Sequence, residues 1–385
     1  MHNLQLFKNT RSAYKKLQKH LDQQPVGFPA TVTGIELKLL QEMFTPEEAN
    51  LALCMNYKME SIDTILQKAV ECGYDQDNFY RLIDNMEKKG CIFVTYSSDQ
   101  KMISLHPFVV GMFEMQIPRL TPGFYLNTRQ YMLERFAIEY LTSEIPQMRV
   151  IPIQKSIATE QHVMTYDEIK QLVEDTADHI CVTDCICKVG KDLISQPCQI
   201  TSRRKICLGF RDFADMYIRN GWGEQVTKEQ TMEILDQNEK EGLILITSSS
   251  QEPQFVCSCC SCCCGIVEMI SLMPRPVDFT ANNYYATCDI EACNGCQRCL
   301  SRCHMGAIQM NSQTNHVAFI DNTKCIGCGL CVSTCKPGAL TLIPKKNQFV
   351  PPQTIENLYD ELKEKKLTTF SQISKFSKAL LGMKV

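Results

Sequence analysis

Eight cysteines in two identically spaced runs are the residues best suited to chemistry. Both runs follow C-x2-C-x2-C-x3-C, at Cys293, Cys296, Cys299 and Cys303 and again at Cys325, Cys328, Cys331 and Cys335. This spacing is typical of bacterial ferredoxin domains that hold two [4Fe–4S] clusters. Three thiolates on one tight loop cap three corners of a cubane, and the fourth thiolate of the run reaches the neighbouring cubane.

The spacing therefore predicts two interlocked ligand sets. One cluster is expected on Cys293, Cys296, Cys299 and Cys335, and the other on Cys325, Cys328, Cys331 and Cys303. Gly295, Gly327 and Gly329 suit backbone that bends closely around inorganic sulfide. Short strands are predicted after each run, at residues 307–310 and 339–342.

Other uses of these eight cysteines fit poorly. A structural zinc site needs well-separated cysteine pairs, and disulfides need an oxidising compartment. Covalent haem attachment needs C-x-x-C-H, and the segment from Cys299 to His304 is one residue too long.

The sequence departs from the usual ferredoxin pattern at the proline that normally follows the fourth cysteine of a run. His304 and Lys336 occupy those two positions, so the local packing and the cluster potential are expected to differ.

A second cysteine region precedes the two runs. Cys181, Cys185, Cys187, Cys198 and Cys207 form one group, and six cysteines within eight residues form another at Cys257, Cys259, Cys260, Cys262, Cys263 and Cys264. The groups would meet if the intervening helix and strand folded back as a hairpin-like unit. The first-choice ligands are Cys185, Cys187, Cys198 and Cys207, supplemented by some of the second group. The eleven thiols suffice for one cubane with spares, or for two.

Three interpretations of this second region remain open. An additional iron–sulfur cluster is favoured, because six cysteines in eight residues is not the pattern of a hydrophobic core. Zinc or another thiophilic metal also binds C-x-C and adjacent cysteines, and redox-active thiols without metal are the third possibility. Cys54, Cys72 and Cys91 are expected to act as small core hydrophobes, whereas Cys288 fits either role.

Composition limits the function classes. The 385 residues allow two or three domains, and a net charge of −3 argues against a general nucleic-acid or membrane binder. The N-terminal residues lack the apolar core of a signal peptide, and no run approaches the ~18 apolar residues of a membrane span. We therefore expect a cytoplasmic protein. Because so many clustered thiols among 23 cysteines would oxidise in air, a reducing, anaerobic host is expected.

The predicted fold class is α+β. Helices are predicted at residues 4–21, 35–43, 46–53, 61–72 and 76–89, with capping boxes at Thr33 and Thr45, followed by a hairpin at residues 91–96 and 101–105. Helices followed by a hairpin predict a winged-helix-like domain. The segment 75–89 carries four acidic and three basic residues, so DNA is not an expected partner.

The remaining chain divides into three predicted parts. The winged-helix-like domain covers residues 1–125. It is followed by an α/β cysteine-rich domain with an extra metal cluster at 126–285, the 2[4Fe–4S] ferredoxin domain at 286–345 and a helical tail at 346–385. Capping boxes are predicted at Thr165 and Thr227. The tail is expected either to dock a partner or to be solvated.

Along nearly its whole length the chain resembles a family of 4Fe–4S dicluster-domain proteins from anaerobic bacteria and archaea. The features that carry the resemblance precede the ferredoxin runs, and they are Gly27-Phe28-Pro29, Leu40 to Ala49, Arg149 to Pro152, Cys185-Ile186-Cys187, Cys207 to Phe210 and Cys257 to Cys264. Lys188 stands where many members carry Arg, and residues 354–382 lie outside the resemblance. The resemblance implies a winged-helix-like N-terminal part and a function in electron transfer, but it indicates no substrate.

Three functions follow as hypotheses. The first is an electron-transfer protein or subunit that passes single electrons between its two [4Fe–4S] clusters, an additional cysteine-ligated cluster and a redox partner protein. The second is an oxidoreductase whose middle site is a catalytic, non-standard iron–sulfur centre. The third is a redox-sensing winged-helix regulator. Dinucleotide and ATP motifs are absent from the sequence, and the oligomeric state and the partner cannot be derived from it.

Overall fold

The computed structural model describes residues 2–153, 168–176, 179–311 and 317–385, with the side chains of residues 2–11 and Asn311 excepted. Helices and strands alternate along the described chain, which makes it a mixed α and β protein. The helices are α1 (His2–Asp22), α2 (Ile35–Met43), α3 (Pro46–Leu51), α4 (Ile62–Glu71), α5 (Gln76–Lys88), α6 (Pro122–Tyr131), α7 (Ala137–Leu141), α8 (Ile169–Glu174), α9 (Ile186–Leu193), α10 (Arg211–Arg219), α11 (Lys228–Glu241), α12 (Gly265–Ser271), α13 (Leu330–Ser333), α14 (Ile355–Glu364) and α15 (Thr369–Leu380).

The strands form four antiparallel sheets among the described residues. They are β1 (Glu60–Ser61), β2 (Phe93–Ser97), β3 (Gln100–Ser104), β4 (Met148–Val150), β5 (Ile180–Asp184), β6 (Lys205–Phe210), β7 (Gly223–Gln225), β8 (Ile244–Ser248), β9 (Phe255–Cys259), β10 (Tyr284–Cys288), β11 (Ile308–Asn311), β12 (Val317–Ile320) and β13 (Leu340–Pro344).

The N-terminal part is helical and carries a three-stranded sheet in the order β1-β3-β2. The predicted hairpin is confirmed, with Phe93 opposite Ser104. The capping box at Thr45 is also confirmed, because Thr45 and Glu48 bond each other's backbone amides. The capping box at Thr33 is wrong, since Gly34 is the N-cap residue of α2 and the Thr31 hydroxyl accepts the amides of Gly34 and Ile35.

A six-stranded sheet in the order β4-β8-β9-β6-β5-β7 organises the middle of the chain. The connection from β6 to β9 runs through α10, β7, α11 and β8, and β9 then pairs with β6, with Leu208 opposite Val256. The two cysteine groups therefore meet at this strand pair, which brings Cys207 of the first group beside Cys257 of the second. Two helices and two strands intervene, rather than the single helix and strand that the sequence predicts. The Thr227 capping box of α11 is confirmed, whereas the one predicted at Thr165 lies outside the described residues.

The last third of the chain carries two small sheets. Strand β10 pairs with β13, and β11 pairs with β12. The strands predicted after each cysteine run are confirmed as β11 and β13. The two runs lie in the loops that lead from β10 to β11 and from β12 to β13, so the two sheets fix the ends of both ligand loops.

One apolar core connects these parts. It contains buried residues from the N-terminal helices, the six-stranded sheet, the ferredoxin segment and α14, among them Phe28, Tyr131, Ile246, Leu330 and Leu358. Helix α6 crosses the predicted boundary at residues 125 and 126, and both Phe124 and Tyr125 are buried in this core. The N-terminal helices therefore pack directly against the elements that carry the middle cysteines.

The C-terminal segment is not a solvated tail. The Lys366 ammonium donates to the carbonyl oxygens of Asp22 and Gln24 at 2.7 and 2.6 Å, and the Tyr57 hydroxyl donates to the Asp360 carboxylate at 2.6 Å. These contacts fasten α14 and the residues that follow it to the end of α1 and to the segment after α3. Within the described part of the chain, no helix combines the length and apolar character needed to cross a membrane.

The packing of α9 on α6 can be tested with one methyl group. A Cβ added at Gly190 would lie only 2.1 Å from the buried Tyr125 ring, so Gly190→Ala is expected to destabilise the protein by about 1–3 kcal/mol through overpacking. The measurement is the thermal unfolding midpoint of anaerobic, iron-loaded protein. Gly123→Ala is the matched control, because the nearest atom to its Cβ is 4.0 Å away. Equal midpoints for the two variants would contradict this packing.

Candidate iron–sulfur and thiolate sites

Two cavities in the ferredoxin segment are lined by the predicted ligand sets. Cys293, Cys296, Cys299 and Cys335 line a cavity of about 20 Å³. A second cavity of about 30 Å³ is lined by Cys303, Cys325, Cys328 and Cys331. Each cavity thus combines three cysteines of one run with the fourth cysteine of the other run. We call them the outer and the inner ferredoxin site, respectively.

The backbone around both sites is shaped for close approach to a cluster. Gly295, Gly327 and Gly329 all have positive φ angles, of 68°, 68° and 80°, a conformation that glycine adopts without strain. At Gly327 a Cβ would also lie 2.4 Å from the Tyr284 carbonyl oxygen. The structural role predicted for these glycines is therefore present at all three positions.

The two ferredoxin sites differ in exposure. Cys296 at the outer site is exposed, whereas Cys325 and Cys331 at the inner site are only 9% and 8% exposed. Burial raises the pKa of the Cys328 thiol to about 12, so holding a thiolate there requires compensation by a cation or a metal. Backbone amides also contribute, because Ala286 donates to Cys325 Sγ at 3.4 Å and Ala307 to Cys303 Sγ at 3.2 Å. Such bonds tune the reduction potential of a cluster.

Ten of the middle cysteines divide into two groups. The smaller group, which we call the quartet, consists of Cys198, Cys260, Cys262 and Cys263, whose thiols all lie within 4.8 Å of one another. The Sγ–Sγ distances include 3.7 Å between Cys198 and Cys260 and 3.4 Å between Cys260 and Cys262. Further pairs are Cys198–Cys262 at 3.8 Å and Cys262–Cys263 at 3.6 Å.

The other six cysteines form a closed ring. Each thiol lies within hydrogen-bonding reach of two ring neighbours, in the order Cys185, Cys187, Cys264, Cys259, Cys257, Cys207 and back to Cys185. Hydrogen bonds from Cys187 and Cys207 lower the pKa of Cys185, and those from Cys207 and Cys259 lower the pKa of Cys257 to about 6. The ring can therefore carry negative charge although it is largely buried.

Secondary structure places the six ring cysteines. Cys185 precedes α9 as its N-cap residue, Cys187 lies in the first turn of α9, and Cys264 precedes α12 as its N-cap residue. Cys207 lies on β6, and Cys257 and Cys259 lie on β9. The ring faces a cavity of about 70 Å³ whose lining is mainly apolar and includes Phe113, Met132 and Phe255.

A buried lysine contacts the quartet and interacts electrostatically with the ring. Lys188 is fully buried, and its ammonium donates to Cys260 Sγ of the quartet at 3.4 Å and to the Ser258 carbonyl oxygen at 3.3 Å. Burial alone would lower the pKa of Lys188, but the negative charges of Cys185 and other ring thiols and of Cys260 in the quartet outweigh it and raise the pKa. Lys188 is therefore a permanent cation between the two thiol groups.

The structure does not bring the four first-choice ligands into one group. Cys185, Cys187 and Cys207 belong to the ring, whereas Cys198 belongs to the quartet. The reason is helix α9, which carries the chain away from the ring, so that Cys198 after this helix lies in the quartet. The eleventh thiol, Cys181, is buried outside both groups beside Gly209. Among the expected core cysteines, Cys91 is fully buried, whereas Cys72 is exposed, which corrects that expectation.

His304 is a functional candidate whose role the sequence does not reveal. It occupies the position after Cys303 where a proline is usual. Its Nδ1 accepts from the Ser261 amide at 3.4 Å and faces the Ser261 hydroxyl at 3.2 Å. The opposite ring nitrogen, Nε2, donates to the Gly242 carbonyl oxygen at 2.7 Å. Because Cys303 precedes His304 and Ser261 lies between Cys260 and Cys262, the imidazole connects the inner ferredoxin site to the quartet.

Comparison with known proteins agrees with the ferredoxin geometry. The family described as 4Fe-4S dicluster domain matches residues 292–339, which contain all eight cysteines of the two runs. Neither curated proteins nor solved structures give a match to the chain. The match implies two [4Fe–4S] clusters, and the donor sets and cavities of the two ferredoxin sites fit them. With the additional thiol groups, it indicates an iron–sulfur electron-transfer function.

The interlocked geometry makes the two clusters separable by mutation. Cys335→Ala is expected to remove the same cluster as Cys293→Ala, and Cys303→Ala the same cluster as Cys325→Ala. Each variant should lose about four irons per chain, and the paramagnetic resonance spectrum of dithionite-reduced protein identifies the cluster that remains. If Cys335→Ala instead gave the spectrum of Cys325→Ala, each run would bind its own cluster and the assignment would be refuted.

Proposed function

We propose that this protein carries single electrons between a redox partner and a thiolate-ligated centre in its middle domain, through two [4Fe–4S] clusters. The clusters supply reversible one-electron chemistry at low potential. Cys293, Cys296, Cys299 and Cys335 hold one cluster and Cys303, Cys325, Cys328 and Cys331 hold the other. The observation that carries the proposal is the series of sites, in which His304 connects the inner ferredoxin site to Ser261 in the loop of the quartet cysteines.

The exposure of the sites supports an order of electron flow along this path. The outer ferredoxin site has the exposed Cys296, so a partner protein can approach its cluster closely. The inner site is more buried, and the thiol ring lines a cavity among core elements. We propose that electrons enter or leave at the outer site and that the ring is the internal end of the path, in a reducing cytoplasm.

The proposed division of labour follows the predicted parts 1–125, 126–285, 286–345 and 346–385. The three-stranded sheet lies in the first part and the six-stranded sheet in the second. The small sheets lie in the third part, except that β10 begins at Tyr284. In this organisation the first and last parts support the ring from outside, and the second and third parts carry the electron path.

A second candidate function is an oxidoreductase with its catalytic centre at the ring. The observation that favours it is the cavity of about 70 Å³ beside the ring thiols. By this measure a single water needs only about 10–15 Å³, so a metal centre and a small apolar substrate could share the space. Glu114 at the cavity has its pKa raised to about 8 by burial, which would keep a proton there at neutral pH.

The charges on α5 argue against the hypothesis of a redox-sensing regulator that binds DNA. Arg81 pairs with Glu47 at 3.3 Å. Lys101 on the adjacent hairpin pairs with Asp84 of α5 at 3.3 Å and with Glu87 of α5 at 2.9 Å. These ion pairs neutralise the cations that a phosphate backbone would need, so we do not propose DNA binding.

His304 provides a direct test of the electron path. His304→Ala removes the imidazole between Cys303 and Ser261, so reduction of the middle-domain centre is expected to slow severalfold after the ferredoxin clusters are reduced. Iron content should be unchanged, because the cluster ligands remain. The measurement is rapid mixing with dithionite followed by freeze-quench paramagnetic resonance.

Lys336→Ala is the matched control, because Lys336 holds the corresponding position after the second run and is exposed. It should leave the transfer rate unchanged. Equal rates for His304→Ala and the unmodified protein, at equal iron content, would show that the electrons take another route or do not reach the middle domain.

Lys188 tests whether a buried cation sets the potential of the middle-domain centre. Lys188→Met removes a positive charge beside the thiolates, so adding an electron becomes less favourable and the midpoint potential should fall. The shift should be roughly 170 mV for a one-electron centre, since a unit charge at ~4 Å is worth ~4 kcal/mol at an effective dielectric constant of ~20. A redox titration measures it, and Lys191→Met on the same helix, where the ammonium bonds Gln196, is the control. A full complement of iron with an unshifted potential would contradict this role.

A further inference from the structure

The quartet and the ring differ in geometry in a way that bears on what each can bind. In a tetrahedral site with metal–sulfur bonds of ~2.3 Å, the sulfurs lie ~3.8 Å apart. The measured quartet distances of 3.4, 3.6, 3.7 and 3.8 Å are close to this value. The quartet therefore has the dimensions of a site for one metal ion.

The ferredoxin sites provide an internal comparison. The four cysteines of each ferredoxin site are less closely grouped, because among the described residues only the quartet has all its thiols within 4.8 Å of one another. A [4Fe–4S] core places iron and sulfide between its cysteines, so its ligands stand further apart than those of one ion. The quartet is thus too compact for the kind of cluster that the ferredoxin sites hold.

The ring has the opposite property. Its cavity of about 70 Å³ exceeds the cavities of about 30 and 20 Å³ at the two ferredoxin sites. Six thiols also exceed the four ligands of a cubane. Disulfide bonds within the ring are not favoured by this geometry. Each ring thiol has two ring neighbours, and all six ring cysteines are free.

We propose that the middle domain holds two separate metal centres of different kinds. The quartet binds one tetrahedral thiophilic ion, zinc or iron, and the ring holds an iron–sulfur cluster on up to six thiolates. Lys188 lies between the centres and offsets the repulsion between their negative charges. The metal content proposed for the quartet and the ring does not depend on the proposed electron transfer. The role of the ring as the internal end of the electron path does rest on that proposed function.

The positions of the quartet ligands suit a single ion that stabilises the loops around the ring. Cys198 follows α9, and the other three quartet cysteines lie between β9 and α12. One ion would therefore join the two segments whose neighbouring residues, Cys187 and Cys264, belong to the ring. It would also hold Ser261 in place for its contact with His304.

Metal analysis of matched variants tests the proposal. Unmodified protein is purified without oxygen, and iron, zinc and acid-labile sulfide are counted per chain. Cys262→Ser in the quartet is expected to lose about one zinc, or about one iron without sulfide, and to keep the ring cluster. Cys257→Ser in the ring is expected to lose at least about four irons together with sulfide and to keep the single ion. Either zinc or iron in the quartet supports the proposal.

Two results would overturn it. One is a Cys262→Ser variant that loses about four irons with sulfide, which would place a cubane in the quartet. The other is the loss of identical metal in both variants, which would indicate one shared centre. Should a variant fail to fold, X-ray absorption at the zinc and iron edges of unmodified protein decides the quartet, because a single ion has four sulfur neighbours and no metal neighbour. Absence of the ferredoxin resonances would instead count against the proposed function.

Discussion

The burial of sulfur-borne negative charge is the constraint on which the rest of this structure depends. An isolated ionised group in a protein interior costs several kcal/mol, so it persists only beside cations, metals or hydrogen-bond donors. The middle domain supplies Lys188, whose ammonium contacts the quartet and is held charged by the ring thiols. The inner ferredoxin site supplies backbone amides to Cys303 and Cys325. Groups of thiolates without these partners would bind protons instead of iron.

The six-stranded sheet makes this concentration of thiols possible. Antiparallel pairing of β6 with β9 sets Leu208 opposite Val256, which brings Cys207 beside Cys257 although fifty positions separate them in the chain. The same sheet orients α9 and α12, and the ring is completed by their N-cap residues and by Cys187 in the first turn of α9. Because one residue of slippage would turn alternate side chains to the opposite face, the register of this strand pair controls the whole site.

The surrounding helices hold the site in place without contributing thiols to it. Tyr125 on α6 packs against Gly190 of α9, and its hydroxyl donates to the Cys187 carbonyl oxygen at 3.4 Å. Arg129, one turn further along α6, forms an ion pair with Glu268 of α12. The N-terminal part thus clamps both helices that begin at ring cysteines, which gives it a structural role.

The sequence by itself determined the features that are local in the chain. The ferredoxin ligand runs, the helices that begin at Thr45 and Thr227, the hairpin and the short strands could all be predicted, because spacing, capping and turn residues act over a few positions. Even the crossed sets of cysteines that line the two ferredoxin cavities agree with the spacing, since three ligands fill one loop and the fourth must point elsewhere.

Only the tertiary structure decided how the middle cysteines are shared. Cys198 was grouped with Cys185 by proximity in sequence, yet α9 separates them and the loop after β9 receives Cys198 instead. The contact of His304 with Ser261 was equally hidden, because it joins residues 43 positions apart. Such pairings depend on strand register and on helix packing across the core. No local pattern encodes those distances, because they result from how all the apolar faces of the chain are buried together.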